Sequence, residues 1–136
     1  MRKNYMLSRE QFELLVKEGM AGIPQKFLDK IKNVAILVED EPSAEVRKEE
    51  GLAEGETLLG LYRGVPATER GEGYGIGMTL PDTITLYQHP IEEAARGDSA
   101  RIREEVRDTV WHEIAHYFGM SESEVRTREK EMRRKR

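Results

Sequence analysis

The sequence predicts an α+β fold, and three observations carry that expectation. Val34-Ala35-Ile36-Leu37-Val38 is a short, β-branched, wholly apolar run. Thr83-Ile84-Thr85-Leu86-Tyr87-Gln88 alternates in the strand manner, and Ile102, Val106, Val110, Ile114 and Phe118 recur in steps of four. Periods of two and of about 3.6 residues within one short chain describe a small sheet packed against helices. The expected order is N-terminal helices, a small mixed sheet of about three to four strands, a long late helix and a C-terminal helix.

Taken in chain order, Ser8 with Gln11 has the form of a capping box and opens a helix from Arg9 to Met20, with Phe12, Leu15, Val16 and Met20 on its apolar side. Gly19 and Gly22 end that pattern. Pro24 suits the first position of a second short helix, in which Phe27, Leu28 and Ile31 form a core stripe ending near Asn33. The run Val34 to Val38, closed by Glu39-Asp40-Glu41-Pro42, reads as a buried central strand. Ser43 to Glu50 is a short charged helix stopped by Gly51, and Leu58 to Tyr62 is a second strand ending at Gly64 and Pro66.

Between Gly64 and Asp82, glycines stand at alternate positions 71, 73, 75 and 77. No G-K-[ST] follows and no helix start is signalled, so a phosphate loop is set aside for a mobile loop over Gly64 to Met78 beside a cleft. Thr83 to Gln88 is then a half-buried strand. Pro90 opens a short helix to Arg96, Gly97 breaks it, and Ser99 caps a longer helix running to Phe118. Gly119 takes the left-handed terminal position, and Ser121 with Glu124 caps a last helix.

The chain of 136 residues suits one domain spanning residues 1–136. It has no cysteine, which excludes disulfides and every thiolate-built zinc site and leaves nitrogen and oxygen donors for any transition metal. No apolar stretch is long enough to span a bilayer and Met1 to Ser8 holds no signal-peptide core, so a cytoplasmic protein with no membrane partner is expected. Net charge is −4, unevenly placed: residues 126–136 carry seven basic and two acidic side chains, hence +5, leaving −9 elsewhere. With no aromatic residue interleaved for base stacking, these charges read as complements to a helix dipole rather than as a nucleic-acid surface.

The most informative run is Trp111-His112-Glu113-Ile114-Ala115-His116-Tyr117-Phe118-Gly119, which contains H-E-x-x-H and two of the chain's three histidines. Residues four apart share a helix face, so the imidazoles of His112 and His116 can converge on one zinc ion with Glu113 beside them. At about 100° per residue, both histidines lie on the far side from the Val110 and Ile114 stripe, so core packing does not account for them.

With these residues in view, the chain resembles the bacterial minimal zincin-like metallopeptidases. The N-terminal helical part, a last strand reading Asp82-Thr83-Ile84-Thr85-Leu86-Tyr87 and the late helix with Thr109 to Gly119 carry the likeness. The motif is similar to H-E-x-x-H-x-x-G-x-x-D, with Glu122 at the final position. The resemblance implies a minimal zincin-like fold, Zn2+ as cofactor, and His112, His116 and Glu122 as its ligands. Glu113 is then the general base of peptide-bond hydrolysis on a peptide or protein substrate. The strand Thr83 to Tyr87, if its outer edge is free, could pair with an extended substrate. Tyr74, Tyr87 and His89 are the candidate oxyanion stabilisers. Two rival readings are a non-catalytic zincin-fold interaction module with weak or no metal binding, and a nucleic-acid-associated accessory protein using the basic tail.

Overall fold

The first helix, α1 (Arg9–Met20), begins at the capping box its sequence encodes: the Ser8 hydroxyl accepts the Gln11 amide while the Gln11 side chain accepts the Ser8 amide. The structure is a computed structural model, and it describes residues 7–31, 33–64, 82–117 and 121–134. Side chains of Lys30, His116, Tyr117, Glu122 and residues 132–134 also lie outside the description, as do Tyr74 and all but Gly64 of the expected Gly-rich loop.

After α1 come α2 (Gln25–Lys30), β1 (Val34–Glu39), α3 (Ala44–Glu49), β2 (Gly60–Arg63), β3 (Asp82–Tyr87), α4 (Gln88–Ala94), α5 (Ser99–Tyr117) and α6 (Glu122–Arg134). The element types match the expected order, with small shifts at the ends. Pro24 is the N-cap of α2 rather than its first helical residue. Helix α4 starts two residues before Pro90, whose missing N–H costs nothing in a first turn. Asp98, not Ser99, caps α5: its carbonyl accepts the Ile102 amide at 2.8 Å and its carboxylate accepts the Arg101 amide at 3.0 Å.

The described strands form one mixed sheet in the order β1-β3-β2. β1 runs parallel to β3, with Ile36 opposite Ile84, and β2 runs antiparallel, with Tyr62 opposite Ile84. β3 is therefore central, and β1, expected to be the buried central strand, is an edge strand among the described residues. Its Ile36 and Val38 pack on the core, whereas Leu37 on the opposite face is 43% exposed. The apolar run came from one covered face plus an exposed leucine, which composition alone does not separate from burial on both faces.

Helix α5 is the axis of the molecule. Ile102, Val106, Val110 and Ile114 are all completely buried, as the stripe predicted, each contributing about 1.5–3 kcal/mol relative to exposure. They meet Phe12 and Val16 of α1, Ile84 and Leu86 of β3, and Ile91 of α4 in one cluster. Helix α1 lies so close to α5 that a Cβ on Gly19 would come within 2.7 Å of the Arg103 carbonyl oxygen. A buried polar clasp ties the chain start to α4: Glu92 Oε1 accepts the Leu7 amide at 2.9 Å, and Gln88 donates to the Leu7 carbonyl at 2.9 Å while accepting from Arg9. On the other side of α5, α6 docks through Val125 and the Arg128 guanidinium, which stands 5.9 Å from the Phe27 ring centroid.

Candidate metal centre

The H-E-x-x-H run lies in the last turns of α5, as its spacing predicts. Glu105, Asp108, Thr109, His112 and Glu113 fall on one stripe of that helix and face Leu59 and Gly60 across a cleft of about 380 Å³. Gly60 is what lets β2 lie against the helix: a Cβ there would stand 2.6 Å from Thr109 Cγ2 and 3.1 Å from the Thr85 carbonyl oxygen.

That close approach brings the β2 backbone to Glu113. The Tyr62 amide donates to Glu113 Oε1 at 3.2 Å, and the residue as a whole is buried, only 8% exposed. The Tyr62 side chain is held too, its hydroxyl donating to the buried carboxylate of Asp82. His112 precedes Glu113 on the cleft wall and is half-exposed. Its Nδ1 lies 2.8 Å from Oε1 of Glu129 on α6, but off the line of a ring N–H, and that oxygen is buried with no hydrogen-bond partner.

The structure thus brings His112 and Glu113 together at one cleft. His116 follows His112 by one turn on α5, and Glu122 is the first residue of α6, three before the buried Val125; both side chains lie outside the described residues. Among the described residues no three His, Cys, Asp or Glu side chains form a metal-holding group. The donor chemistry nonetheless suits zinc: an imidazole on a cleft wall, a second imidazole position one turn on, and a carboxylate with one buried oxygen at the first ring's other nitrogen. Glu124, the neighbouring carboxylate, serves the helix end, its amide donating to Ser121 Oγ at 3.2 Å.

The oxyanion candidates lie elsewhere. Tyr87 is buried, caps the start of α4, and does not line the cleft; burial, with Glu39 and Glu50, raises its phenol above the usual value against the opposing effect of Arg63. His89 contacts Glu41 through Nδ1 at 2.9 Å and Glu93 through Nε2 at 3.1 Å, so both ring nitrogens are engaged away from the cleft. The proposed docking edge is also corrected: β3 is paired along both sides, by β1 and β2, and among the described residues β2 is the edge strand beside the cleft. Gly60, the Tyr62 amide and Glu129 were not read from sequence. A lone glycine in a strand run is the one signal that pointed to close backbone approach.

No helix among the described residues is long and apolar enough to cross a membrane. None of the curated proteins matches the chain. Among solved structures, it is similar to a conserved hypothetical protein from Thermus thermophilus, at 26% identity and a TM-score of 0.54, over 82% of this chain and 94% of that one. The family model for zincin-like metallopeptidases matches residues 31–132, well over half of the chain and inclusive of α5 and most of α6. With the α5 motif, the mixed sheet and this match in agreement, the chain belongs to the zincin-like metallopeptidase family.

Proposed function

We propose that the chain is a zinc-dependent peptidase that hydrolyses peptide bonds in the cleft between α5 and β2, with His112, His116 and Glu122 as zinc ligands and Glu113 as general base. The observation that carries this reading is the placement of Glu113: a buried glutamate, next to a candidate ligand imidazole, held at the cleft wall by a backbone amide. Zinc bound there supplies Lewis acidity toward water and the scissile carbonyl.

The remaining chemistry belongs to the chain. Glu113 takes a proton from the attacking water and delivers it to the leaving amine, two transfers that one carboxylate can perform in sequence. The Tyr62 amide holds one oxygen of that carboxylate and so fixes the group's orientation at the cleft wall. Leu59 and Gly60 line the opposite wall, so an extended substrate aligned with β2 would present its backbone to the α5 stripe. Glu105 and Asp108 make that stripe acidic.

The test is cleavage of a mixed peptide library by the zinc-supplemented protein, read by mass spectrometry. Cleavage that stops on chelation and returns on adding zinc supports the reading. No cleavage of any member by protein shown to carry zinc favours the non-catalytic module.

A further inference from the structure

We propose that Glu129 is a positioning residue for His112: its carboxylate accepts the Nδ1 proton, fixing the tautomer in which Nε2 carries the free electron pair presented to the cleft. The inference deepens the zinc-peptidase reading and rests on it.

Three observations converge. First, Glu129 Oε1 lies 2.8 Å from His112 Nδ1, a distance at which a carboxylate and an imidazole are already in contact. Second, that oxygen is buried and has no hydrogen-bond partner, although leaving a carboxylate oxygen dry and unsatisfied is costly. Third, the two side chains differ in cover: Glu129 is 13% exposed, whereas His112 is 44% exposed and lines the cleft.

Helix α6 sets this contact. Val125 is buried in the core, Arg128 stacks over Phe27, and Glu129 follows on the same face at the helical spacing of three and four residues. A carboxylate brought to Nδ1 by a docked helix rather than by a flexible surface chain has little freedom to leave. Rotation of the imidazole about its bond to Cβ is the motion that would bring Nδ1–H into line with Oε1. Alignments of this kind commonly tighten only when a site is engaged. A histidine that ligates through one nitrogen ordinarily donates the other N–H to a carboxylate or carbonyl, which orients the ring and raises its basicity.

The experiment reads tautomer and zinc separately. Nitrogen-15 spectra of the imidazoles are recorded on the zinc-free protein at a pH of about 8.5, roughly two units above the ordinary histidine value, with His112 assigned by its disappearance in His112→Asn. Zinc affinity is then measured by competition with a chelator for wild type, Glu129→Gln and Glu129→Leu. The inference expects Nδ1–H in the wild type and a shift toward Nε2–H in Glu129→Leu. It expects a loss of about 10- to 100-fold in zinc affinity for Glu129→Leu, and a smaller loss for Glu129→Gln, whose amide oxygen still accepts. A plain structural contact would change the melting temperature and leave the tautomer unmoved. Nε2–H in the wild type overturns the inference, as does equal zinc affinity in all three folded proteins. If Glu129→Leu does not fold, the wild-type tautomer and the isosteric Glu129→Gln affinity decide it. Wild type that takes up no zinc overturns the peptidase reading instead, and the zinc-free tautomer still decides for or against Glu129.

Discussion

The backbone amide of Tyr62 and the carboxylate of Glu113 meet at 3.2 Å, which joins β2 to the motif helix at the group proposed to move protons. The contact couples two elements far apart in sequence, and its geometry depends on how closely β2 can approach α5. Residues that set that approach are therefore open to direct test.

Gly60 controls it most directly. Gly60→Ala should lower stability by about 1–3 kcal/mol, the usual cost of overpacking, because the new methyl meets Thr109 Cγ2. Adding Thr109→Ser removes that methyl and should recover part of the loss. Denaturant melts of the two single variants and the pair measure it; a pair that behaves as the sum of its singles would show that the Thr109 contact is not the cause.

The clasp at the chain start is expected to be structural. Glu92→Ala leaves the Leu7 amide without its acceptor, removes the weaker of two acceptors of the Gln88 side-chain amide, and should destabilise by about 1–3 kcal/mol. Thermal melts check this. Zinc affinity should not change, since the clasp lies outside the cleft.

Tyr87 provides a pH test. Its phenol is raised by burial first and by Glu39 and Glu50 second, so the folded state holds the proton to higher pH than the unfolded chain does. The unfolded chain releases that proton near pH 10, roughly the ordinary tyrosine value. Its contribution to stability is therefore complete below that pH and is lost as pH rises through the folded value. Ultraviolet titration should show a late-ionising component among the five tyrosines that belongs to Tyr87. Tyr87→Phe should remove the late component, and its persistence in that variant would assign it to another tyrosine.

Much of this architecture was legible because it is local. The Ser8–Gln11 capping box, the buried stripe from Ile102 to Ile114 and the helical H-E-x-x-H run each depend on residues within a few positions of one another. The misread features are relations between elements. The β-branched apolar run Val34 to Val38 looked central, but strand order is decided by which partner β3 finds on each side, and Leu37 is left in solvent. Glu129 sits in a strongly charged segment that reads as a solvated face, and only the docking of Val125 turns it toward His112. The Tyr62 amide is a backbone group and leaves no mark in the side-chain pattern.

The third zinc ligand can be separated from its neighbour. Glu122→Ala should weaken zinc binding by about 10-fold or more, roughly 1.4 kcal/mol, and Glu122→Asp should preserve or improve it. Glu124→Ala keeps the backbone amide that the Ser121 hydroxyl caps and loses only the 3.5 Å contact from that hydroxyl to its carboxylate, so it should cost about 1 kcal/mol of stability or less, with little effect on metal. Calorimetric titration with zinc distinguishes them. Unchanged affinity in Glu122→Ala would move the third ligand elsewhere.

The claim that Glu113 carries the proton is tested most directly by the hydrolysis rate of Glu113→Gln against wild type, on a peptide the wild type cleaves, at matched zinc content. The glutamine oxygen can still accept the Tyr62 amide, so fold and zinc should be retained while the rate falls by about 10²-fold or more. Equal rates in the two proteins would contradict the mechanism.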